Sequence, residues 1–134
     1  MIVVDSSALV AILLQEPAAD MLLARAARAA GRLISAGTAV EVGMVVMARL
    51  GAAGVAELDA LMAQLGIELV PVDASQVAIA RDGFSRFGKG RHPAALNFGD
   101  LFAYALAKSR DLPLLYVGQD FARTDVLDAL VAAG

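Results

Sequence analysis

The sequence predicts an α/β domain in which helices cover a mostly parallel sheet, and three observations support this fold class. Short runs of β-branched and aliphatic residues alternate with longer helical segments, which is the pattern of a parallel sheet. The composition is 59 % hydrophobic and rich in Ala, Val and Leu, as expected for strands buried on both faces. The length of 134 residues suits one domain, and no linker, repeat or low-complexity segment divides the chain.

The predicted elements follow the order strand, helix, helix, three times over, and end on a fourth strand. The strands are short aliphatic runs, expected at residues 2–5, 32–35, 67–72 and 114–117. The helices are delimited by Gly, Pro and capping residues, and are expected at residues 6–15, 18–30, 38–50, 53–65, 73–87 and 98–110. Residues 88–97 are expected to form a loop, and the tail after Gly118 to add a short strand or a turn.

Composition and charge argue against several classes of protein. A membrane span requires about 20 consecutive apolar residues, and we expect charged residues to interrupt every apolar stretch of this chain before that length is reached. The N-terminus lacks the basic region of a signal peptide. We therefore expect a cytoplasmic protein without membrane contact. The absence of Cys excludes disulfides and thiolate metal sites. The net charge of −3 argues against broad coating of nucleic acid, although Arg81, Arg86, Lys89 and Arg91 form a local basic patch.

Four acidic residues fall at or near the carboxyl ends of the predicted strands, where open α/β sheets bind ligands. Asp5 closes the first strand, and Asp120 follows the last one. Glu41 and Asp100 lie in the first turns of predicted helices. Each residue also has a structural alternative at a helix start, where acidic side chains cap free amides. Thr38 and Glu41, for example, have the spacing of a capping box.

The joint placement of the four acids favours a metal site over four separate caps. Two carboxylates about 4 Å apart repel each other by roughly 4 kcal/mol at an effective dielectric near 20, so such a cluster either holds protons or binds cations. Oxygen ligands suit Mg²⁺ or Mn²⁺ rather than Zn²⁺, and the chain has one His and no Cys to supply a zinc site. A carboxylate-held divalent ion polarises a phosphoryl oxygen and activates water without a His base. A Ser–His–Asp triad would depend on His92 alone and is discounted.

Four segments of the chain resemble the PIN-domain family and together span residue 1 to about residue 125. Residues 1–9, MIVVDSSAL, are similar to the family's opening, and residues 38–41, TAVE, to its second acidic motif. Residues 86–105, RFGKGRHPAALNFGDLFAYA, closely resemble the VapC toxin branch, and residues 114–125, LLYVGQDFARTD, its last motif. The resemblance implies a single PIN-like domain over residues 1–134, with a three-layer α/β/α fold and a central sheet of four to five strands.

The resemblance implies a Mg²⁺- or Mn²⁺-dependent endoribonuclease that serves as the toxin of a type II toxin–antitoxin pair. The family's metal-binding and catalytic acids match Asp5, Glu41, Asp100 and Asp120. Gln119 stands where family members often carry a further polar or acidic residue, and Asp125 is either an outer contributor or a structural residue. The resemblance also implies an RNA substrate, a homodimer, and a cognate antitoxin whose tail enters the acidic pocket.

Several residues near these motifs have both a functional and a structural interpretation. The basic residues that could bind RNA phosphates, or else lie on a solvated loop, are Arg86, Lys89, Arg91 and His92. Asn97 could orient Asp100 or bind substrate, with helix capping favoured, and Ser6 could support the site or start its helix. The aromatic rings that could stack on bases, with core packing favoured, are those of Phe84, Phe87 and Phe98. The apolar residues that agree with a subunit contact are Val40, Met44, Met47 and Leu50.

Two functions of other classes are alternatives. A non-catalytic PIN-like module that binds RNA or protein carries similar motifs, and metal binding would distinguish it from a nuclease. A phosphotransfer receiver domain also gathers acids at strand ends. Such a domain needs a second acid next to the first, but Ser6 follows Asp5 in this chain. It also needs a Lys after the last strand, and no Lys follows residues 114–117. The receiver domain is therefore disfavoured.

Overall fold

The structure is a computed structural model that describes residues 1–132, and it contains a four-stranded parallel sheet between two layers of helices. The strands are β1 (Ile2–Val4), β2 (Arg32–Ser35), β3 (Ile67–Val70) and β4 (Leu114–Leu115). Their order is β3-β2-β1-β4, and every pairing is parallel. Within the described residues, the tail contributes an isolated parallel bridge between Leu114 and Asp128. The predicted α/β/α fold is confirmed.

The helices also follow the predicted order. They are α1 (Ser6–Leu13), α2 (Ala19–Arg28), α3 (Ala36–Leu65), α4 (Ala74–Phe87) and α5 (Phe98–Arg110), and a short 3₁₀ helix, Phe121–Arg123, follows β4. Three strands are shorter than predicted. β1 stops at Val4 because Asp5 is the N-cap of α1. β3 stops at Val70 because Pro71 has no N–H to donate to a neighbouring strand. β4 stops at Leu115 because β1 beside it ends where Asp5 starts α1.

Side chains alternate between the two faces of the sheet and so build two hydrophobic cores. Ile2, Val4 and Ile34 lie on the face that α1, α2 and α3 cover. Val3 and Leu33 lie on the opposite face, which α4 and α5 cover. Because both faces of the central strand β1 are buried, it carries a continuous apolar run rather than a polar–apolar alternation, whereas the edge strand β3 exposes Glu68 and Leu69.

The longest helix, α3, contains both of the helices predicted at residues 38–50 and 53–65. It starts at Ala36, and its backbone leaves helical geometry at Gly51 (φ 71°, ψ −166°). Among the described residues, α3 is the one helix that is long and apolar enough to cross a membrane by length and composition. Charged residues interrupt its apolar residues at Glu41, Arg49 and Glu57, as expected from the sequence. The kink divides α3 into two arms, each shorter than the about 20 residues that a span requires.

The carboxyl ends of the central strands bring three helix starts together. Asp5 follows β1 and donates its amide to the carbonyl of Leu115 in β4 (2.9 Å). Ser35 ends β2 and is the N-cap of α3. The start of α5 reaches the same edge, because Gly99 lies against Glu41 of α3. The topology thus places Asp5 before α1, Glu41 in the second turn of α3 and Asp100 in the first turn of α5 at one edge of the sheet.

Candidate active site

Asp5 is a buried acid, with 2 % of its surface exposed. It caps α1, because Oδ2 accepts hydrogen bonds from the Ser7 amide (3.1 Å) and the Ser7 hydroxyl (2.7 Å). Oδ1 is also buried and has no hydrogen-bond partner among the described residues. Burial raises the pKa of Asp5 from 3.8 to about 6, against the hydrogen bonds from Ser7 and with a contribution from the charge of Glu41. Asp5 therefore has one oxygen fixed by the helix start and one left for a ligand.

Glu41 does not close the capping box that its spacing from Thr38 predicts. The N-cap of α3 is Ser35, so Thr38 is buried inside the helix and Glu41 lies in its second turn. Glu41 Oε1 instead accepts a hydrogen bond from the Ser6 hydroxyl of α1 (2.9 Å). Its carboxylate also lies against the backbone of Gly99, where a Cβ would overlap it. Glu41 is thus held between α1 and α5 rather than used at the start of α3.

Asp100 forms the predicted capping box with Asn97 at the start of α5. Asn97 Oδ1 accepts from the Asp100 amide (3.0 Å), and Asp100 Oδ2 accepts from the Asn97 amide (3.0 Å). Burial raises the pKa of Asp100 from 3.8 to about 6 against the bond from Asn97, and the charges of Asp5, Asp120 and Glu41 add to the rise. The four predicted acids therefore share one electrostatic environment.

Asp120 is the exposed member of the four acids. It precedes the 3₁₀ helix, but its side chain makes no capping hydrogen bond there, so the structural alternative for this residue is wrong. The next residue, Phe121, is buried and packs on Tyr116 with 5.4 Å between ring centroids. The backbone of Asp120 is therefore anchored while its carboxylate faces solvent beside the site. Gln119 is exposed as well.

The chemistry of these donors fits a hard divalent cation. As arranged within residues 1–132, no three acidic or His side chains come close enough together to hold a metal ion. The buried Oδ1 of Asp5, however, is an unpartnered anionic oxygen, which is unfavourable in a dry site and which a cation would satisfy. The single His is otherwise engaged, since His92 Nδ1 accepts from the Ala94 amide (3.0 Å). The ligands on offer are oxygens, which Mg²⁺ and Mn²⁺ prefer.

The basic candidates for phosphate binding differ in their surroundings. The Arg86 guanidinium lies 3.5 Å from Asp82 Oδ2 and 3.4 Å from Asp125 Oδ2. Lys89 and Arg91 are exposed on the loop that precedes α5, and the Arg91 guanidinium lies 5.8 Å from the centroid of an aromatic ring on α4. Lys89 and Arg91 are therefore accessible to a polyanion, whereas protein carboxylates hold Arg86.

The prediction that Phe98 packs in the core is wrong. Phe98 is 78 % exposed at the first position of α5, in edge contact with Phe102 (5.0 Å between centroids), because no element covers the outer side of this helix start. Phe84 is exposed as well, whereas Phe87 is half-buried against Tyr104. An apolar cavity of about 550 Å³ lies between α4 and α5, with Phe84, Phe98 and Phe102 in its lining. Exposed apolar surface therefore adjoins the acidic site.

Two residues of the site escaped sequence analysis. Ser7 donates to Asp5 and accepts from the Val117 amide (3.0 Å), so it links Asp5 to the segment between β4 and Asp120. The Asp-x-Ser spacing at a helix start was the available signal for Ser7. Gly99 lets the carboxylate of Glu41 reach α5. No local pattern marks Gly99, because its role depends on a helix distant in sequence.

Sequence comparisons identify relatives over most of the chain. A family model described as the PIN domain matches residues 2–127. A Ribonuclease VapC of Mycolicibacterium smegmatis is 46 % identical over 124 residues, which cover 92 % of this chain and 96 % of that protein. Ribonuclease VapC30 of Mycobacterium tuberculosis is 44 % identical over 124 residues, which cover 92 % of this chain and 95 % of that protein.

Solved structures of low sequence identity share the fold. Mycobacterium tuberculosis VapC20, described as a sarcin–ricin loop cleaving toxin, has a TM-score of 0.77 at 15 % identity, covering 96 % of this chain and 98 % of that one. VapBC2 from Rickettsia felis, bound to a DNA fragment from its promoter, has a TM-score of 0.73 at 18 % identity, covering 96 % of each chain. The family match and the relatives at 44 % and 46 % identity show that the chain belongs to the PIN-domain family, in its VapC-type branch.

Proposed function

We propose that the chain is a Mg²⁺- or Mn²⁺-dependent endoribonuclease that hydrolyses RNA phosphodiester bonds in the cytoplasm, as the toxin of a type II toxin–antitoxin pair. The observation that carries the proposal is the buried, unpartnered Oδ1 of Asp5 in a cluster of acids. The charge of Glu41 contributes to the raised pKa values of both Asp5 and Asp100, and the charge of Asp120 contributes to that of Asp100. Perturbed carboxylates gathered at strand ends are typical of functional sites. Membership of the PIN-domain family, and relatives that are named ribonucleases, support the same activity.

The side chains of the site supply anionic oxygens in fixed positions. When bound between them, a divalent ion would lower the pKa of a water molecule and polarise a phosphoryl oxygen. Asp5 and Asp100 would hold the ion through Oδ1, because capping hydrogen bonds engage Oδ2 of each. Glu41, oriented by Ser6, and the exposed Asp120 would complete the ligand set.

The substrate must be guided to a site that is itself negatively charged. We propose that Lys89 and Arg91 bind RNA phosphates, because they are exposed on the loop that leads into α5 and Asp100. Asn97 is exposed at the same helix start and is placed to contact the substrate as well. Arg86, the third basic candidate, is engaged by Asp82 and Asp125 and is less available to RNA.

Mapping RNA ends after induced expression tests the proposed activity and identifies the substrate. We expect new ends at defined sites in one class of cellular RNA, and none when an Asp5→Asn variant is expressed at the same level. The purified chain should reproduce the cleavage with Mg²⁺ and lose it with a chelator. No cleavage by the wild-type chain, with or without added metal, would exclude a nuclease and favour a non-catalytic binding module.

We also propose that the chain forms a homodimer and binds a cognate antitoxin. Two apolar surfaces are available for these partners. The residues of the first lie on α3 and are all exposed: Val40, Met44, Met47 and Leu50. The second is the cavity between α4 and α5. Apolar patches of this kind on a soluble domain mark interaction sites, and the acidic site itself suits a basic side chain from an antitoxin.

A charged residue on the apolar surface that forms the dimer interface should convert the homodimer to a monomer. Met44→Glu alters the surface on α3, and Val77→Glu alters the lining of the cavity between α4 and α5. Both side chains are exposed in the single chain, so neither change should unfold it. Size-exclusion chromatography with light scattering should give a dimer for the wild-type chain and a monomer for one of the two variants. A monomeric wild-type chain at high concentration would refute the dimer.

Gly99→Ala should reduce cleavage strongly with little loss of stability. A Cβ at this position would overlap the carboxylate of Glu41, which can move aside because it is the end of a flexible side chain. That movement breaks the hydrogen bond from Ser6 (2.9 Å), so we expect cleavage about 10-fold slower or worse. Gly43→Ala, where a Cβ meets open space on α3, is the matched control. Wild-type rates for Gly99→Ala would mean that the position of Glu41 is unimportant.

A further inference from the structure

Asp125, which follows Asp120 in the tail, is bonded to side chains from two helices. Its Oδ1 accepts a hydrogen bond from the Tyr104 hydroxyl of α5 (2.9 Å). Its Oδ2 lies 3.3 Å from the Lys108 ammonium of α5 and 3.4 Å from the Arg86 guanidinium in the last turn of α4. Lys108 also donates to the Asp125 carbonyl (3.4 Å). One carboxylate thus joins the tail to both helices on this face of the sheet.

Tyr104, which donates a hydrogen bond to Asp125, is held in place by packing. The Tyr104 ring is buried, packs against Phe87, and lies so close to Gly83 that a Cβ there would overlap it. Burial and the bond to Asp125 raise the pKa of Tyr104, so its hydroxyl stays a donor. Partial burial opposes ionisation of Asp125, but the Tyr104 bond and the Lys108 charge hold the pKa of Asp125 below its ordinary value. The contact is therefore a charge-assisted one on a rigid base.

The tail between Asp120 and Asp125 has few other attachments. Phe121 is buried next to Asp120. Thr124 bonds locally to the Phe121 carbonyl (2.7 Å), and the exposed Arg123 donates to the Pro93 carbonyl (3.2 Å). The side chain of Asp120 makes no capping bond of its own. The position of Asp120 therefore depends on Phe121 at one end of this segment. At the other end it depends on Asp125 and on the backbone pairing of Leu127 and Ala129 with Leu114 of β4.

We infer that Asp125 is a positioning residue, which clamps the tail onto α5 through Tyr104 and Lys108 and so sets the placement of Asp120 relative to Asp100. The inference rests on the proposed function, because Asp120 and Asp100 belong to the candidate metal site. It also assigns Arg86 to this clamp rather than to RNA phosphates. Loss of a residue that orients a metal ligand typically weakens metal affinity or activity by about 10- to 100-fold.

The test compares Asp125→Ala and Tyr104→Phe with Asp82→Asn. The third variant is the matched control, because it removes the other carboxylate beside Arg86 and leaves the clamp intact. The measurements on the full chain are Mn²⁺ affinity by calorimetry, and kcat and KM for RNA cleavage. For Asp125→Ala we expect Mn²⁺ affinity and kcat each about 10-fold lower, with KM within about 2-fold of wild type. Tyr104→Phe should move the same quantities less, and Asp82→Asn should match wild type.

Two results with the Asp125→Ala variant would overturn the inference. Wild-type Mn²⁺ affinity and kcat in a folded Asp125→Ala variant would leave Asp125 a purely structural residue. A raised KM with unchanged kcat would make the cluster an RNA-binding site instead. If Asp125→Ala does not fold, Asp125→Asn and Tyr104→Phe are judged by the same criteria. If the wild-type chain binds Mn²⁺ but cuts no RNA, the proposed nuclease activity is refuted, and the role of Asp125 is still tested through Mn²⁺ affinity. If the wild-type chain binds no Mn²⁺, both the proposed function and the inference about Asp125 are overturned.

Discussion

Asp5→Asn and Asp100→Asn should each abolish metal-dependent cleavage of RNA while the fold survives. Asn can still accept the hydrogen bonds that start α1 and α5, from Ser7 and Asn97. The Asn side chain cannot supply an anionic oxygen to a metal ion. The oxygen expected to bind metal is Oδ1 of each Asp, because the capping hydrogen bonds engage Oδ2. We expect cleavage rates to fall by more than about 100-fold, which exceeds the usual effect of losing a residue that only orients a metal ligand.

Initial cleavage rates across a range of Mg²⁺ concentrations, with circular dichroism for the fold, provide the measurement. Asp73→Asn is a matched control, because Asp73 caps α4 in the same way, accepting from the Gln76 amide (2.9 Å), but follows the edge strand β3. The control should cleave at the wild-type rate. If either site variant retained most of the wild-type rate in a clean preparation, the assignment of that acid would fail.

Asp5→Asn should also stabilise the metal-free protein at neutral pH. The pKa of Asp5 is about 6 in the folded chain instead of 3.8, so the folded state binds its proton more tightly than the unfolded state does. The free energy of unfolding therefore falls as the pH rises from about 4 to about 6, and remains low above that range. Ionised Asp5 costs the folded state about 3 kcal/mol, of which the Asn variant should recover about 2 kcal/mol.

Thermal unfolding of both proteins at pH 4.5 and pH 7.5, with chelator and then with Mg²⁺, checks this expectation. Without metal, the Asn variant should melt higher than wild type at pH 7.5, and the difference should shrink at pH 4.5. Mg²⁺ should raise the wild-type melting temperature and should leave that of the variant almost unchanged. At a Mg²⁺ concentration of 100 times the dissociation constant, binding adds about 2.7 kcal/mol to the free energy of unfolding. If the Asn variant were less stable than wild type at pH 7.5 without metal, other groups in the protein would have to offset the cost of burying the Asp5 charge, and the prediction would fail.

The acids could be identified from sequence because strand ends and helix starts are local features. Asp5 follows an aliphatic run, and Asn97 with Asp100 has cap spacing, so both helix starts were predicted and are confirmed. The same local rule failed for Glu41. Ser35 is an equally good cap, and the buried Thr38 shows that packing, not spacing, selected the start of α3. That the four acids bind metal stays a prediction.

Burial and long-range contacts were not accessible from local pattern. The periodicity of α5 places Phe98 on an apolar face, but the neighbouring elements stop short of it and leave it exposed. Arg86 belongs to a basic cluster in sequence, yet it faces two carboxylates in space. The sequence left Asp125 as either an outer contributor to the site or a structural residue, because its bonds to Tyr104 and Lys108 exist only where the tail folds back onto α5.

By itself, the sequence determined the fold class and the order of the elements, and it singled out four acids as candidates for the site. These depend on hydrophobic periodicity, residue propensity and motif spacing, which neighbouring residues encode. Tertiary structure alone decided which oxygens are left for a ligand, which charges raise the pKa values of Asp5 and Asp100, and which side chains contact Asp125. The physical reason is that desolvation and charge–charge interaction depend on distances between segments far apart in the chain.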